Sequence, residues 1–143
     1  MGVDTENFVE KIKSGKYNPT TDNQVSFTDF TLAEYLNQLL DEKNLSRKEV
    51  IKKSLLKQVP TSHIFEGVTK EHARERILAL ALAMELDTEE TDKLLVYANK
   101  SQLYARRSNW EAIIFSGIIH HWGIDKTNEA LYDAGETPLL GDI

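Results

Sequence analysis

The sequence predicts an all-α fold: short helices joined by tight turns, extended toward the C-terminus by further antiparallel helix pairs. Apolar residues recur with a helical period along several stretches, Thr, Ser and Asp stand where those stretches begin, and Asn or Gly stands where they end. Periodicity, start signals and stop signals agree on the same boundaries.

A chain of 143 residues has room for one domain, or for a small domain with a helical extension. With 41% hydrophobic and 28% charged residues, the composition is that of a folded globular protein. The longest apolar run, Ile77 to Met84, ends at Glu85, well short of the roughly 18 residues that cross a bilayer. The first residues, Met-Gly-Val-Asp-Thr-Glu-Asn, show no basic and then apolar leader, so no secretory signal is expected. The absence of cysteine excludes disulfides, thiolate metal sites and cysteine nucleophiles together. A cytoplasmic location and no membrane association are expected.

Along the chain, Asp4 to Lys13 is expected to form a short amphipathic helix with Phe8, Val9 and Ile12 on one face, followed by an extended polar connector from Gly15 to Asp29. From Thr31 to Asn44, Leu32, Tyr35, Leu36, Leu39 and Leu40 fall on one helical face, Thr31 and Glu34 suit a capping box, and Asn44 tolerates the left-handed stop. Ser46 caps a second short helix containing Val50 and Ile51, and a third runs from about Val59 to Glu66, with Ile64 and Phe65 inward and Gly67 as its end. Glu71 to Leu86 and Asp87 to Asn99, the latter capped by Asp87, should pack as a hairpin. A second hairpin follows, Asn109 to Trp122 with Ile113, Ile114, Ile118 and Ile119 as its core stripe, then Asp125 to Ala134 capped by Asp125. Three segments result: 1–30 as helix and connector, 31–86 as the first helical domain, and 87–143 as its helical extension.

The two hairpins look alike. Thr91-Asp-Lys-Leu-Leu-Val-Tyr-Ala-Asn parallels Asn128-Glu-Ala-Leu-Tyr-Asp-Ala-Gly at a spacing of 37 residues. Two copies are fewer than a free-standing solenoid needs.

Charge is segregated. The formal net charge is −6, yet between Lys43 and Lys57 six basic residues face one acid, Glu49, which makes this window +5 and the remainder −11. An acidic chain that concentrates cations in one short stretch presents that stretch to an anionic partner.

That stretch carries a motif. Asn44-Leu-Ser-Arg-Lys-Glu-Val-Ile-Lys-Lys-Ser-Leu-Leu-Lys-Gln-Val-Pro-Thr-Ser-His-Ile-Phe-Glu-Gly67 resembles, without a gap, the helix-turn-helix of the XRE family, the lambda-repressor-like fold. The resemblance implies that Leu45 plugs the core, that Val50 and Ile51 are buried on the first motif helix, and that Leu56 is buried after the turn. It further implies that Ile64 anchors the recognition helix and that Gly67 ends it. Extending over roughly Thr31 to Leu140, it implies a lambda-repressor-like bundle with a helical extension and a partner in double-stranded DNA. In that frame Lys57, Gln58, Val59, Ser62 and His63 face base edges in the major groove, while Arg47, Lys48, Lys52 and Lys53 hold phosphates. Gln58 suits adenine and Val59 a thymine methyl. Because one such module contacts few base pairs, the expected assembly is a homodimer.

Three positions depart from the family pattern. Leu55 stands at the turn position usually held by Gly and predicts a rearranged turn. Pro60 predicts a recognition helix that starts one or two residues late. Thr61 occupies a site that is normally apolar or small. Together with the overall acidity they motivate an alternative: an adaptor or antirepressor whose working surface is the acidic extension.

No metal, cofactor or catalytic site is expected. His120 and His121 are adjacent on a helix and so point about 100° apart, without a partner at ligand spacing. One of them should pack beside Trp122. No phosphate loop or nucleophile motif is present. Arg106 and Arg107 either extend the basic surface or, as is commoner, pair with the preceding acidic helix, and the apolar residues of the last forty positions should pack on the core or form a dimer contact.

Overall fold

Left-handed turns divide the chain into helices at the places its caps announce. A computed structural model describes residues 31–68 and 72–139, which belong to one compact unit and are helical without strands. The helices are α1 (Leu32–Lys43), α2 (Arg47–Ser54), α3 (Gln58–Glu66), α4 (Arg74–Ala83), α5 (Thr88–Tyr97), α6 (Asn109–His120) and α7 (Gly123–Asp133). The expected helix over Asp4–Lys13 and its connector lie outside the described residues. No described helix is long and apolar enough to cross a membrane.

Thr31, Ser46 and Asp87 each accept a hydrogen bond from the backbone N–H three residues on, and Asp87 with Glu90 closes a full capping box. Asn44 takes the left-handed conformation (φ 54°) and ends α1. The α1 face buries Leu32, Tyr35, Leu36, Leu39 and Leu40, as its period requires. Asn37 reaches from this helix to donate to the Phe65 carbonyl at 2.9 Å, satisfying an orphan acceptor at the end of α3.

Packing is centred on α4, buried along its length from Ile77 to Ala83. It contacts α2, α5, α6 and α7, while α1 packs on α3 and α5, and α2 on α3. Tyr35 joins α1 to α5: its ring lies 5.2 Å from that of Tyr97 and under the Lys93 ammonium. Burial, reinforced by the nearby carboxylates Glu90, Glu42 and Asp87, pushes the Tyr35 hydroxyl up to about 12.

Several expectations are corrected. The helix expected over Glu71–Leu86 is α4, Arg74–Ala83: Ala73 stands at its cap, and Glu85 turns left-handed (φ 55°) after Met84. Asp125 does not cap α7. Left-handed His121 (φ 53°) and Gly123 (φ 78°) reverse the chain so tightly that the helix has already begun, and Asp125 sits in its first turn, where a carboxylate still suits the dipole. Ile119 is 50% exposed rather than in the core, because α6 turns Glu111, Ile114, Gly117 and Ile118 inward.

The internal repeat is real in structure, with a spacing of 36 rather than 37. Arg74 donates to the Ser101 carbonyl (2.9 Å), and Trp110 donates to that of Thr137 (2.7 Å). Glu85 and His121 are both left-handed, as are Asn99 and Gly135. Thr91 and Thr127, both fully buried, return hydrogen bonds of 2.7 Å to the carbonyls four residues back. Asp92 accepts from the Leu103 N–H at 2.9 Å, and Asn128 accepts from that of Leu139 at 2.7 Å, each tether pinning a buried leucine eleven residues on. Leucine pattern alone aligns the wrong pair, Leu94 with Leu131; the hydrogen-bonded anchors fix Leu95 opposite Leu131.

Candidate nucleic-acid interface

Burial of Val50, Ile51 and Ser54 on α2 turns Lys48, Lys52 and Lys53 outward by helical period. All three are exposed and make no ion pair among the described residues. Lys57 is exposed at the cap position of α3, so four exposed lysines lie along α2 and the turn that follows it.

The turn keeps the backbone that a glycine would favour. Leu55 is left-handed (φ 65°) with its side chain 48% exposed, so the expected rearrangement does not occur and the leucine carries the steric cost instead. Ser54 steadies it: the buried hydroxyl donates to the Ile51 carbonyl (2.6 Å) and accepts from the Leu56 N–H (3.2 Å). Leu56 then enters the core.

Pro60 does not delay α3, which begins at Gln58. As the third helical residue it lies where the backbone N–H would lack an intrahelical partner, and the carbonyl its ring would strike lies before the helix. Thr61, Ile64 and Phe65 face inward, so Gln58, Val59 and His63 are exposed, Val59 at 66%, and Ser62 is half-buried. Thr61 is fully buried, and its hydroxyl oxygen has no hydrogen-bond partner among the described residues. Gly67 (φ 75°) ends the helix in a left-handed conformation that a side chain would strain. Leu45, expected to plug the core, is half-buried.

Among the nine candidate residues, Arg47 and Gln58 have internal contacts across the motif. Arg47 lies 3.7 Å from Glu66 across the motif, with both side chains more than 40% exposed. Gln58 donates from its amide to the Lys48 carbonyl at 3.3 Å, linking α3 back to α2. Lys43, the other cation of the basic window, pairs with Glu90 at 3.1 Å and serves the α1–α5 junction instead.

A second charged cluster escaped sequence reasoning. Glu111 on α6 is 1% exposed and receives Arg74 through both guanidinium nitrogens (2.9 and 2.6 Å), Arg107 at 2.7 Å and the Tyr104 N–H at 3.1 Å. Burial pushes its carboxyl up, but the Arg74 hydrogen bonds, the Tyr104 N–H and the charges of Arg74 and Arg107 outweigh this and hold it below its ordinary value. Arg107 therefore pairs forward with α6 and not with the preceding acidic helix, while Arg106 is exposed. The spacing of Arg107 and Glu111 was legible as an i, i+4 pair; Arg74, 37 residues away, was not. The cluster joins the two hairpins and is structural.

His120 stacks on Trp122 with ring centroids 5.8 Å apart, and His121 is exposed at the helix end. No group of metal-binding side chains occurs among the described residues. No family model matches the sequence, and no curated protein or solved structure matches it significantly.

Proposed function

We propose that this protein is a sequence-specific DNA-binding transcriptional regulator of the lambda-repressor-like, XRE type, with α3 entering the major groove. The observation that carries the reading is the row of exposed lysines at 48, 52, 53 and 57, beside the open first turn of α3, in a chain that is otherwise strongly acidic. Lys48, Lys52, Lys53 and Arg47 neutralise phosphates on either side of the groove, and the N-terminal dipole of α3 adds to their attraction. Lys57, Gln58, Val59, Ser62 and His63 meet base edges, with Gln58 exchanging its bond to Lys48 for adenine. Two copies act on two half-sites, because a single helix reads too few base pairs.

A gel shift against genomic fragments at about 50 and about 200 mM salt tests this, since a protein making six to ten phosphate contacts loses roughly 10³ to 10⁵ in affinity between these conditions. Lys52→Glu combined with Lys53→Glu should abolish retardation while leaving the helical spectrum unchanged, as both side chains are exposed. Unaltered retardation would sink the assignment of this face. The internal engagement of Arg47 and Gln58 favours a second reading, an adaptor working through its acidic helices. Failure to retard any fragment at low salt selects it.

A further inference from the structure

The duplicated hairpin exposes in its second copy a face that its first copy buries. Thirty-six residues before Ala112, Phe115, Ser116 and Ile119 stand Arg76, Ala79, Leu80 and Ala83; the last three are buried. On α6 the same stripe opens, with Ala112, Phe115 and Ser116 half-buried and Ile119 50% exposed. The difference lies in the neighbours. Four helices enclose α4, whereas α6 packs on α4, α5 and α7 and has no counterpart of α2 among the described residues.

Two features of this face say what fits it. It carries no formal charge: Glu111 is the sole Asp, Glu, Lys or Arg of α6, and it points inward onto Arg74 and Arg107. In a chain of net charge −6, such a face lets a second copy approach without local repulsion. The stripe is also complementary to itself. Ala112, Phe115, Ser116 and Ile119 follow the i, i+3, i+4, i+7 spacing of a helix-packing seam. When two such helices run antiparallel about a two-fold axis between positions 115 and 116, Phe115 meets the other chain's Ser116 and Ile119 meets its Ala112, a large residue against a small one each time.

We infer that α6 is a homodimerisation face, closed about a two-fold axis by the Ala112–Phe115–Ser116–Ile119 stripe of a second copy of this chain. It supplies the contact that the two-half-site reading requires, and it rests on that reading only for its use on DNA. The test uses no DNA, so failure here and failure of the gel shift are separate results.

Sedimentation of the full chain over a concentration series should show mass rising from 16.3 kDa toward twice that value. Ser116→Glu places a carboxylate beside the two-fold axis and should weaken association by on the order of 100-fold or more, because like charges juxtaposed in an interface cost several kcal/mol. Tyr132→Glu, at a site 76% exposed on α7, should leave the dimer intact. Since the chain has no cysteine, oxidation of Ser116→Cys should yield a covalent dimer, and Tyr132→Cys should not; this comparison decides the matter if Ser116→Glu fails to fold. A monomer at every concentration overturns the inference. So does a Ser116→Glu protein that folds and still dimerises.

Discussion

Replacing Glu111 by Gln keeps the shape of the side chain and removes its charge. The carboxylate is 2% exposed and accepts four hydrogen bonds, three of them from two arginines. Gln leaves one acceptor for these donors and turns an N–H₂ toward the guanidinium groups. Breaking a buried pair by removing one partner costs about 3–5 kcal/mol. The lower end applies here, because Arg74 keeps its bonds to the Ser101 and Gln102 carbonyls and Arg107 is 42% exposed to water. For a unit of this size about 3 kcal/mol lowers the melting temperature by roughly 10–15 °C. Thermal and urea unfolding followed by circular dichroism measure it, with Arg107→Ala as the reference: that change removes the half-exposed partner and leaves Arg74 and the Tyr104 N–H on the carboxylate, so it should cost less than Glu111→Gln. The pH dependence has a definite sign. Glu111 is held below its ordinary value of 4.5, so its stabilisation is complete above that value and disappears as pH falls through the lower folded value. The gap between wild type and Glu111→Gln should accordingly close in acid. A loss below about 1 kcal/mol at pH 7, or a gap that stays constant down to strong acid, would refute the view that this carboxylate joins the two hairpins as a charge.

Three further substitutions probe the motif and the repeat. Leu55→Gly relieves a left-handed leucine whose side chain is half exposed, and should raise stability by up to about 1 kcal/mol, read as a melting shift of a few degrees with DNA retardation preserved. Thr61→Val replaces a buried hydroxyl that lacks a hydrogen-bond partner among the described residues with a methyl of similar size; stabilisation of about 1 kcal/mol is expected in urea titration, and a loss of stability would mean that the hydroxyl is satisfied in solution. Gly117→Ala brings a methyl within 2.5 Å of the Thr127 hydroxyl and 3.3 Å of Leu82, an overpacking that should cost about 1–3 kcal/mol and be partly rescued by Thr127→Ala. Absence of rescue would place the strain elsewhere.

Local physics was written in the chain. The all-α class, the capped starts at Thr31, Ser46 and Asp87, and the stops at Asn44 and Gly67 follow from groups within a few residues of one another, side chains that accept from first-turn N–H groups and residues that tolerate the left-handed conformation, which is why periodicity and caps located them. The outward row of lysines was legible for the same reason: burying Val50 and Ile51 fixes the rotation of α2. What depends on distant partners was not. Whether Leu55 bends the turn or yields to it is decided by the core that buries Leu56, and whether Ile119 is core or surface by which helices reach α6. The register of the repeat was set by tethers eleven residues long from Asp92 and Asn128, and the charge on Glu111 by an arginine 37 residues earlier. The sequence by itself determined where helices begin, where they end and which side they turn to water. Only the tertiary structure decided which faces find a neighbour, because a hydrogen bond or a packed contact across the fold depends on the positions of helices that no local period encodes.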